Sequence, residues 1–554
     1  MKDLEIPLGK RTPFYRFFEM LPAILSYGAI LLLVVLSIFN PLLASLYLML
    51  IIITAIVKAL GIGYHTITGY RRLEAAQRVD WRQRLADLEK PTQSLDHYRS
   101  HHQTTFEYEK HVANLRKIAK NPIEYPHPSQ LQQAVIVAAY NESIDILEPT
   151  LQSVAATSYD NQKLIVILAY EERGGEAIEK TVRQLEAKFK NTFGRFELVK
   201  HPKDLPGEVR GKGGNITYAG HYLKALCDKH HIEYKDVIVT TLDSDNRPHK
   251  SYFDYVAYEY IVHEERKFLS YQPVALFLNN IWDAPAPMRV VATGNSFWNI
   301  ISSMRPHTLR NFASHSQSLD ALAEMNFWST RTIVEDGHQY WRSYFHFNGH
   351  YSVLPVSVPI YQDAVLASTY TRTLRAQFIQ LRRWAYGASD VPYVAVRIFS
   401  SDRNVPFWPG FARLVRLIDG HVTLAVVAIL VAIGGWVPLL INNEAARNIA
   451  AHQLPEVVSG VQRFALLGLF ITIFLAFKML PPRPERYKRH RSIWMLLQWA
   501  LMPVVAIAYG SLSSLTAQTL LFLGKYLDKF DVTEKAQVKS GESTKGDHAS
   551  ARSK

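Results

Sequence analysis

Hydrophobic and polar residues alternate along this chain in three different rhythms. Near the N-terminus, Leu21–Phe39 and Pro41–Leu60 are unbroken apolar runs of 19 or 20 residues, with Lys58 as their only charge. At 1.5 Å per residue each predicts a helix of roughly 30 Å, the thickness of a bilayer's hydrocarbon core. Asn40-Pro41 is the natural turn between them, and the run lacks the small-residue cleavage site of a signal peptide. Leu417–Ile441 and Phe464–Leu480 predict two further spans. Ile493–Leu523 is also long and uncharged but is broken near Gly510-Ser511-Leu512-Ser513-Ser514. It reads either as one span with an interfacial helix or as a tight two-pass hairpin, leaving five or six spans in all.

Between these ends the rhythm is that of an α/β domain. Ala134–Ala139 is a short aliphatic run delivering Tyr140-Asn141-Glu142, as a buried parallel strand delivers its C-terminal end to a loop. Ile146–Ala156 predicts a helix, Leu164–Tyr170 a strand ending at Glu171-Glu172, Thr181–Phe189 a helix and Phe196–Lys200 a strand. Val237–Leu242 predicts a strand ending at Asp243-Ser244-Asp245. Strand–helix alternation predicts a mostly parallel, Rossmann-like sheet, whose ligands bind beyond the carboxyl ends of its strands. From Thr371 to Phe399 arginines interleave with aromatics, the pattern of amphipathic helices lying on lipid headgroups. The predicted organisation is a membrane region at 1–63, a helical collar at 64–130, the α/β domain at 131–368 and interfacial helices at 369–412. A second membrane region follows at 413–525, and a polar tail at 526–554.

Charge refines this picture. The 554 residues carry a formal net charge of +13, the pI is about 9.4 and the mean hydropathy is -0.05. Such a balance fits nucleic-acid binding, but the basic residues crowd beside the apolar runs, as cytoplasmic membrane flanks do, so no nucleic-acid partner is expected. Arg71-Arg72 and the dense Pro481–Arg491 loop place the N-terminus, the α/β domain and that loop on the cytoplasmic side of a cell membrane. The single cysteine, Cys227, excludes an intrachain disulfide and reads as a small buried residue.

The candidate chemistry sits in ordered boxes. Asp243 and Asp245 are hard oxygen ligands at a spacing suited to Mg²⁺ or Mn²⁺ bridging a diphosphate. Glu335-Asp336 is an acidic pair able to supply a general base. In Gln380-Leu381-Arg382-Arg383-Trp384, Gln380 and Arg383 share a helix face with Trp384 beside them. An arginine there can neutralise a leaving diphosphate, and an indole can stack on a sugar ring. Arg210-Gly211-Lys212-Gly213-Gly214-Asn215 lacks the Gly-Lys-Ser/Thr of a nucleoside-triphosphate loop. His307, His315, His338, His346 and His350 read as ordinary loop and strand histidines.

Two acidic sites, then a Gln-x-x-Arg-Trp box, then a membrane-embedded end: this order resembles the membrane-integrated family 2 glycosyltransferases, which include cellulose, hyaluronan and chitin synthases. The resemblance spans residues from about 134 to 390. It implies a GT-A-like domain inserted between transmembrane helices, performing inverting sugar transfer from a UDP- or GDP-sugar to a growing glycan. It assigns Asp336 as base with Glu335 beside it, and Asp243 and Asp245 to the metal. Donor contacts fall to Tyr140, Asn141, Glu142, Glu171, Glu172, Lys212 and Asp243, and acceptor or diphosphate contacts to Gln380, Arg383 and Trp384. Phe530-Asp531-Val532-Thr533-Glu534-Lys535 resembles a gating loop, making Thr533 and Lys535 candidates to reach the diphosphate. Two segments depart from the family pattern: glutamates end the second strand where an aspartate is usual, and Phe312–Gln317 replaces a Gly-rich acceptor segment. The nucleotide and the acceptor therefore stay open, and transfer to a polyprenyl phosphate or other lipid is the alternative. A non-catalytic transporter or scaffold is a further one, disfavoured because the spans carry no buried charge.

Overall fold

In a computed structural model, which describes residues 4–443, 447 and 449–527, the middle of the chain builds an eight-stranded sheet. Its strands are β1 (Gln132–Ala139), β2 (Leu164–Glu171), β3 (Arg195–His201), β4 (Val237–Asp243), β5 (Arg247–Pro248), β6 (Leu269–Leu276), β7 (Ser316–Ser318) and β8 (Ser352–Tyr361). They lie in the order β3-β2-β1-β4-β7-β6-β8-β5. The four strands expected from the sequence form the parallel half, β3-β2-β1-β4. Beyond β4 the sheet becomes mixed: β7 runs antiparallel to both β4 and β6, β8 parallel to β6, and β5 antiparallel to β8. The expected mostly parallel sheet is thus a parallel half joined to a mixed one.

The alternation of side chains explains why β1 and β2 read as continuous aliphatic runs. Val135, Val137, Leu164, Val166 and Leu168 enter one core, with the helices Ile144–Ala155 and Gly175–Phe189. Ala134, Ile136, Ile165 and Ile167 enter the other, with the helix Lys212–His230. A strand buried on both faces has no polar side to show. The collar packs on the first of these layers, where Trp81 stacks on Tyr255 with ring centroids 3.5 Å apart.

Four helices among the described residues are long and apolar enough to cross a membrane: Pro13–Phe39, Pro41–Gln77, Phe407–Ile441 and His490–Phe522. The predicted span Phe464–Leu480 falls almost wholly within a 31-residue helix, Ile449–Met479. His490–Phe522 settles the sequence's open alternative against the hairpin. It passes through α, 3-10 and π segments, and every junction keeps right-handed helical dihedrals, so the chain does not reverse. Both ends of this rod meet the α/β domain or its flank. Arg491 donates to the Trp282 carbonyl at 2.9 Å, while Leu521 packs in a cluster with Ile333 and Tyr386.

Candidate active site

At the carboxyl edge of the sheet, one ammonium gathers three carboxylates from two distant segments. Lys212 Nζ lies 2.8 Å from Asp243 Oδ1, 3.0 Å from Asp336 Oδ2 and 3.8 Å from Glu335 Oε1. Lys212 opens the helix Lys212–His230, Asp243 ends β4, and Glu335 and Asp336 open the helix Glu335–His346. Carboxylates in a first helical turn are favoured by the unpaired amides there. The cluster is nearly closed: Lys212 and Glu335 are buried, and Asp243 is about one-third exposed, with a side-chain value of 34%. Burial alone would lower the lysine pKa, but Asp243, Asp336 and Glu335 reverse that and hold it well above the usual value. Burial, followed by the charge of Asp336, pushes Glu335 up to about 8 against the pull of Lys212. Glu335 therefore keeps its proton at neutral pH.

Close backbone approach fixes this arrangement. A Cβ on Gly213 would lie 2.3 Å from the Ser329 carbonyl oxygen, and one on Gly174 would lie 1.9 Å from that of Tyr140. Asn215 Nδ2 donates to the Ala139 and Ala169 carbonyls at 3.3 and 2.9 Å, tying together the ends of β1 and β2. The Glu142 carboxylate accepts from the Tyr140 amide at 2.7 Å and from Ser244 Oγ at 3.1 Å, so the first and fourth strands share one loop contact. Asn141 is exposed beside them.

The other expected donor residues line the neighbouring edge. Glu171 pairs with Arg173, whose guanidinium lies over the Tyr140 ring at 5.5 Å; burial raises the Glu171 pKa. Glu172 accepts from the Lys203 amide at 3.0 Å. Beyond β2 and β3, a cavity of about 260 Å³ is lined by Arg173, His201, Asp204, Leu205, Glu208, Val209, Arg210 and Gly211. It adjoins Lys212 in sequence and brings two arginines and a histidine to the end of the sheet.

Asp245 is held by partners from two other loops. Its Oδ2 accepts from the Asp363 amide at 3.0 Å, and its carbonyl accepts from Asn279 Nδ2 at 3.0 Å. Among the described residues no group of three or more His, Cys, Asp or Glu side chains is gathered as a metal site. Asp243 and Asp245 thus fit a divalent ion only as a partial donor set, with the remaining ligands left to a diphosphate and water.

The Gln-x-x-Arg-Trp box lies on the helix Tyr370–Ala385. Trp384 is exposed on one side and lies tilted over Phe277, with ring centroids 5.9 Å apart. Phe277 stands two residues before Asn279, the partner of Asp245. Gln380 accepts from Gln377 at 3.1 Å. Arg383 sits on the same face, and the next residues, Ala385 and Tyr386, pack against Ile333 just ahead of the acidic pair. The end of the box's helix therefore packs against the segment that leads into the acidic pair. Thr533 and Lys535 lie outside the described residues. The last described residues, Tyr526 and Leu527, pack against the cluster of Ile333, Ala385, Tyr386 and Leu521, on which Val209 and Val334 also pack.

Two histidines treated as ordinary by their sequence context stand close to the acidic pair. His315 Nδ1 is 4.0 Å from Asp336 Oδ1 and 2.9 Å from the Phe312 carbonyl, and its Nε2 accepts from Trp328 at 3.3 Å. These partners select the Nδ1-protonated, neutral ring, and burial lowers its pKa. His338 is buried with Nδ1 2.6 Å from Asp390. No spacing signal marked either one, because their partners come from separate elements. His346 pairs with Glu324 and His350 with Glu265.

No protein-family profile matches the chain, nor does any curated protein sequence. Solved structures similar to it include the mannosyltransferase PcManGT from Pyrobaculum calidifontis in complex with GDP-Man and Mn²⁺. That likeness has 16% identity, covers 69% of this chain and 87% of that one, and has a TM-score of 0.37. Another is S. aureus TarS 1–349 in complex with UDP-GlcNAc, at 14% identity, 72% and 93% coverage and a TM-score of 0.34. Similarity at that level assigns neither a family nor an activity.

Proposed function

We propose that this chain is a membrane-bound, inverting glycosyltransferase that uses a nucleotide-sugar donor and extends a glycan. The observation that carries the reading is the convergence of Asp243, Glu335 and Asp336 on Lys212 at the ligand-binding edge of an α/β sheet. Such an edge is where a diphosphate and an acceptor hydroxyl can be brought into line.

In this reading Asp336 accepts the acceptor's hydroxyl proton as that oxygen attacks the anomeric carbon. The new carbon–oxygen bond forms on the face opposite the breaking bond, whose electrons leave on the nucleoside diphosphate. Glu335, holding its own proton, keeps a second negative charge away from Asp336. Lys212 anchors the base and Asp243 together, and exchanges carboxylate contacts for phosphate when the donor arrives. Arg173 and Arg210 line the cavity that takes the nucleotide, with Tyr140, Glu142, Glu171 and Glu172 around its rim. Asp243 and Asp245 would hold Mg²⁺ or Mn²⁺, which when bound neutralises charge on the leaving diphosphate. Gln380, Arg383 and Trp384 position the acceptor, the indole face serving a sugar ring. Leu527 packs against the cluster of Ile333 and Tyr386, and the gating-loop candidates Thr533 and Lys535 follow it in sequence.

Nucleotide release from the full chain in lipid tests the proposal, with a panel of UDP- and GDP-sugars, Mn²⁺ or Mg²⁺, and product sizing. Release from one donor, abolished by chelator and by Asp336→Asn, supports it, and long products establish repeated extension. No nucleotide binding from any donor would overturn it.

A further inference from the structure

The extreme N-terminal segment reaches the candidate site from outside the α/β domain. Leu4 accepts from Tyr393 Oη at 2.9 Å, and Ile6 is buried in the core that holds the helix Lys212–His230. Between them, Glu5 extends two separate contacts. Its Oε2 accepts from Ser329 Oγ at 2.5 Å, and its Oε1 lies 3.0 Å from Arg342. Arg342 is almost fully buried and also donates to the carbonyls of Phe327 and Met325, at 2.5 and 3.1 Å.

These contacts converge on a strained loop. Asn326 and Phe327 both adopt the left-handed region, with φ of 58° and 60°. A bulky aromatic residue rarely takes that conformation unless its surroundings impose it. Two residues on, the Ser329 carbonyl occupies the space a Cβ on Gly213 would need, and the Thr330 carbonyl accepts from the Val209 amide at 2.8 Å. The loop is thus clamped between the N-terminal segment on one side and the Lys212 turn on the other. It then runs directly into Glu335 and Asp336.

We infer that Glu5 is a positioning residue: through Ser329 and Arg342 it sets the loop that fixes Lys212 against Asp336. This rests on the reading of Asp336 as the base, but the mechanical part does not. Removing the Glu5 charge leaves Arg342 buried without this counter-ion and Ser329 without this acceptor. The loop then relaxes away from Gly213, and the Lys212–Asp336 contact loosens. Glu5 acts through Ser329 and Arg342, neither of which belongs to the acidic cluster.

The test uses the full chain in lipid with Glu5→Gln, Ser329→Ala, their double variant, Glu5→Asp, and Lys10→Ala as a control at an exposed site in the same segment. Amide hydrogen exchange over residues 327–336 and 209–214 needs no turnover. It is expected to speed up about tenfold in Glu5→Gln and Ser329→Ala and to stay at the wild-type rate in Lys10→Ala. Nucleotide release should lose about tenfold in kcat with donor KM within twofold, partly recovered in Glu5→Asp and no worse in the double variant. Unchanged exchange in Glu5→Gln, or a loss of protection spread evenly over the domain, would overturn the inference. Local loosening in a protein that releases no nucleotide from any donor would instead remove the transferase reading and leave the positioning role standing.

Discussion

The strands β3, β2, β1 and β4 are all parallel, with β1, β2 and β4 buried on both faces, while β7, β6, β8 and β5 mix directions and include Ser316-Gln317-Ser318 and a β8 with two prolines. Each half nevertheless supplies acid to the same lysine. The parallel half brings Asp243 on a strand end, where the backbone ladder sets its place. On the other side, Glu335 and Asp336 arrive on a helix that follows a strained loop, and side-chain contacts set theirs. Regular structure and irregular structure thus reach the same local precision by different means. The second needs more partners to do so: Arg342, Gly213 and Glu5 stand in for a ladder.

Four experiments press on this contrast, beginning with the largest effect. Asp336→Asn should reduce nucleotide release by 10²- to 10⁴-fold while donor binding persists in a fluorescence titration. Equal loss of binding would mean that the irregular half also builds the donor site. Lys212→Met removes the counter-charge shared by both halves, and should lower stability by about 3 kcal/mol along with turnover, read as a lower thermal midpoint in lipid. Adding Asp336→Asn to it should recover part of that midpoint, because one stranded charge has gone.

Gly213→Ala should cost roughly 1–3 kcal/mol, since its methyl would meet backbone rather than a movable side chain. Gly337→Ala, with open space around its Cβ, should leave the midpoint unchanged. The smallest effect lies at His249, whose amide donates to the Pro359 carbonyl at 3.0 Å, beside β8. Burial holds its folded pKa at about 4, against 6.5 for the free side chain. The unfolded chain therefore takes up the proton first, so stability is complete above pH 6.5 and falls as pH drops toward 4. That loss should be on the order of 1–3 kcal/mol, and His249→Asn should flatten the slope of midpoint against pH.

The same contrast explains what was legible in the sequence. Val135–Ala139 and Val237–Leu242 announce themselves because two-sided burial leaves no charged residue to interrupt them. Their acids are then placed by position alone. Ser316–Ser318 has no hydrophobic pattern to read, as its polar side chains bond within the interior: Ser316 Oγ lies 2.7 Å from Thr240 Oγ1. The acidic pair was recognisable as a box, whereas its counter-ion was not. Lys212 is expected from its sequence context to contact phosphate or the donor sugar, and in the structure its Nζ faces three carboxylates. His315 and Glu5 were invisible for a simpler reason: each acts through partners from other elements, 13 and 324 residues away along the chain. The hairpin alternative for Ile493–Leu523 arose from Gly510 and its serines, which the structure absorbs in a π-helical widening rather than a turn.

The rod His490–Phe522 has both ends against one domain, and that constrains the tail more than any span count. Arg16, near the start of the first long helix, donates to the Leu521 and Phe522 carbonyls at 3.0 Å each. The rod therefore ends against the start of the first long helix, and Leu527 packs on the same cluster as Val209 and Val334. One guanidinium thus latches the start of the described chain to its end.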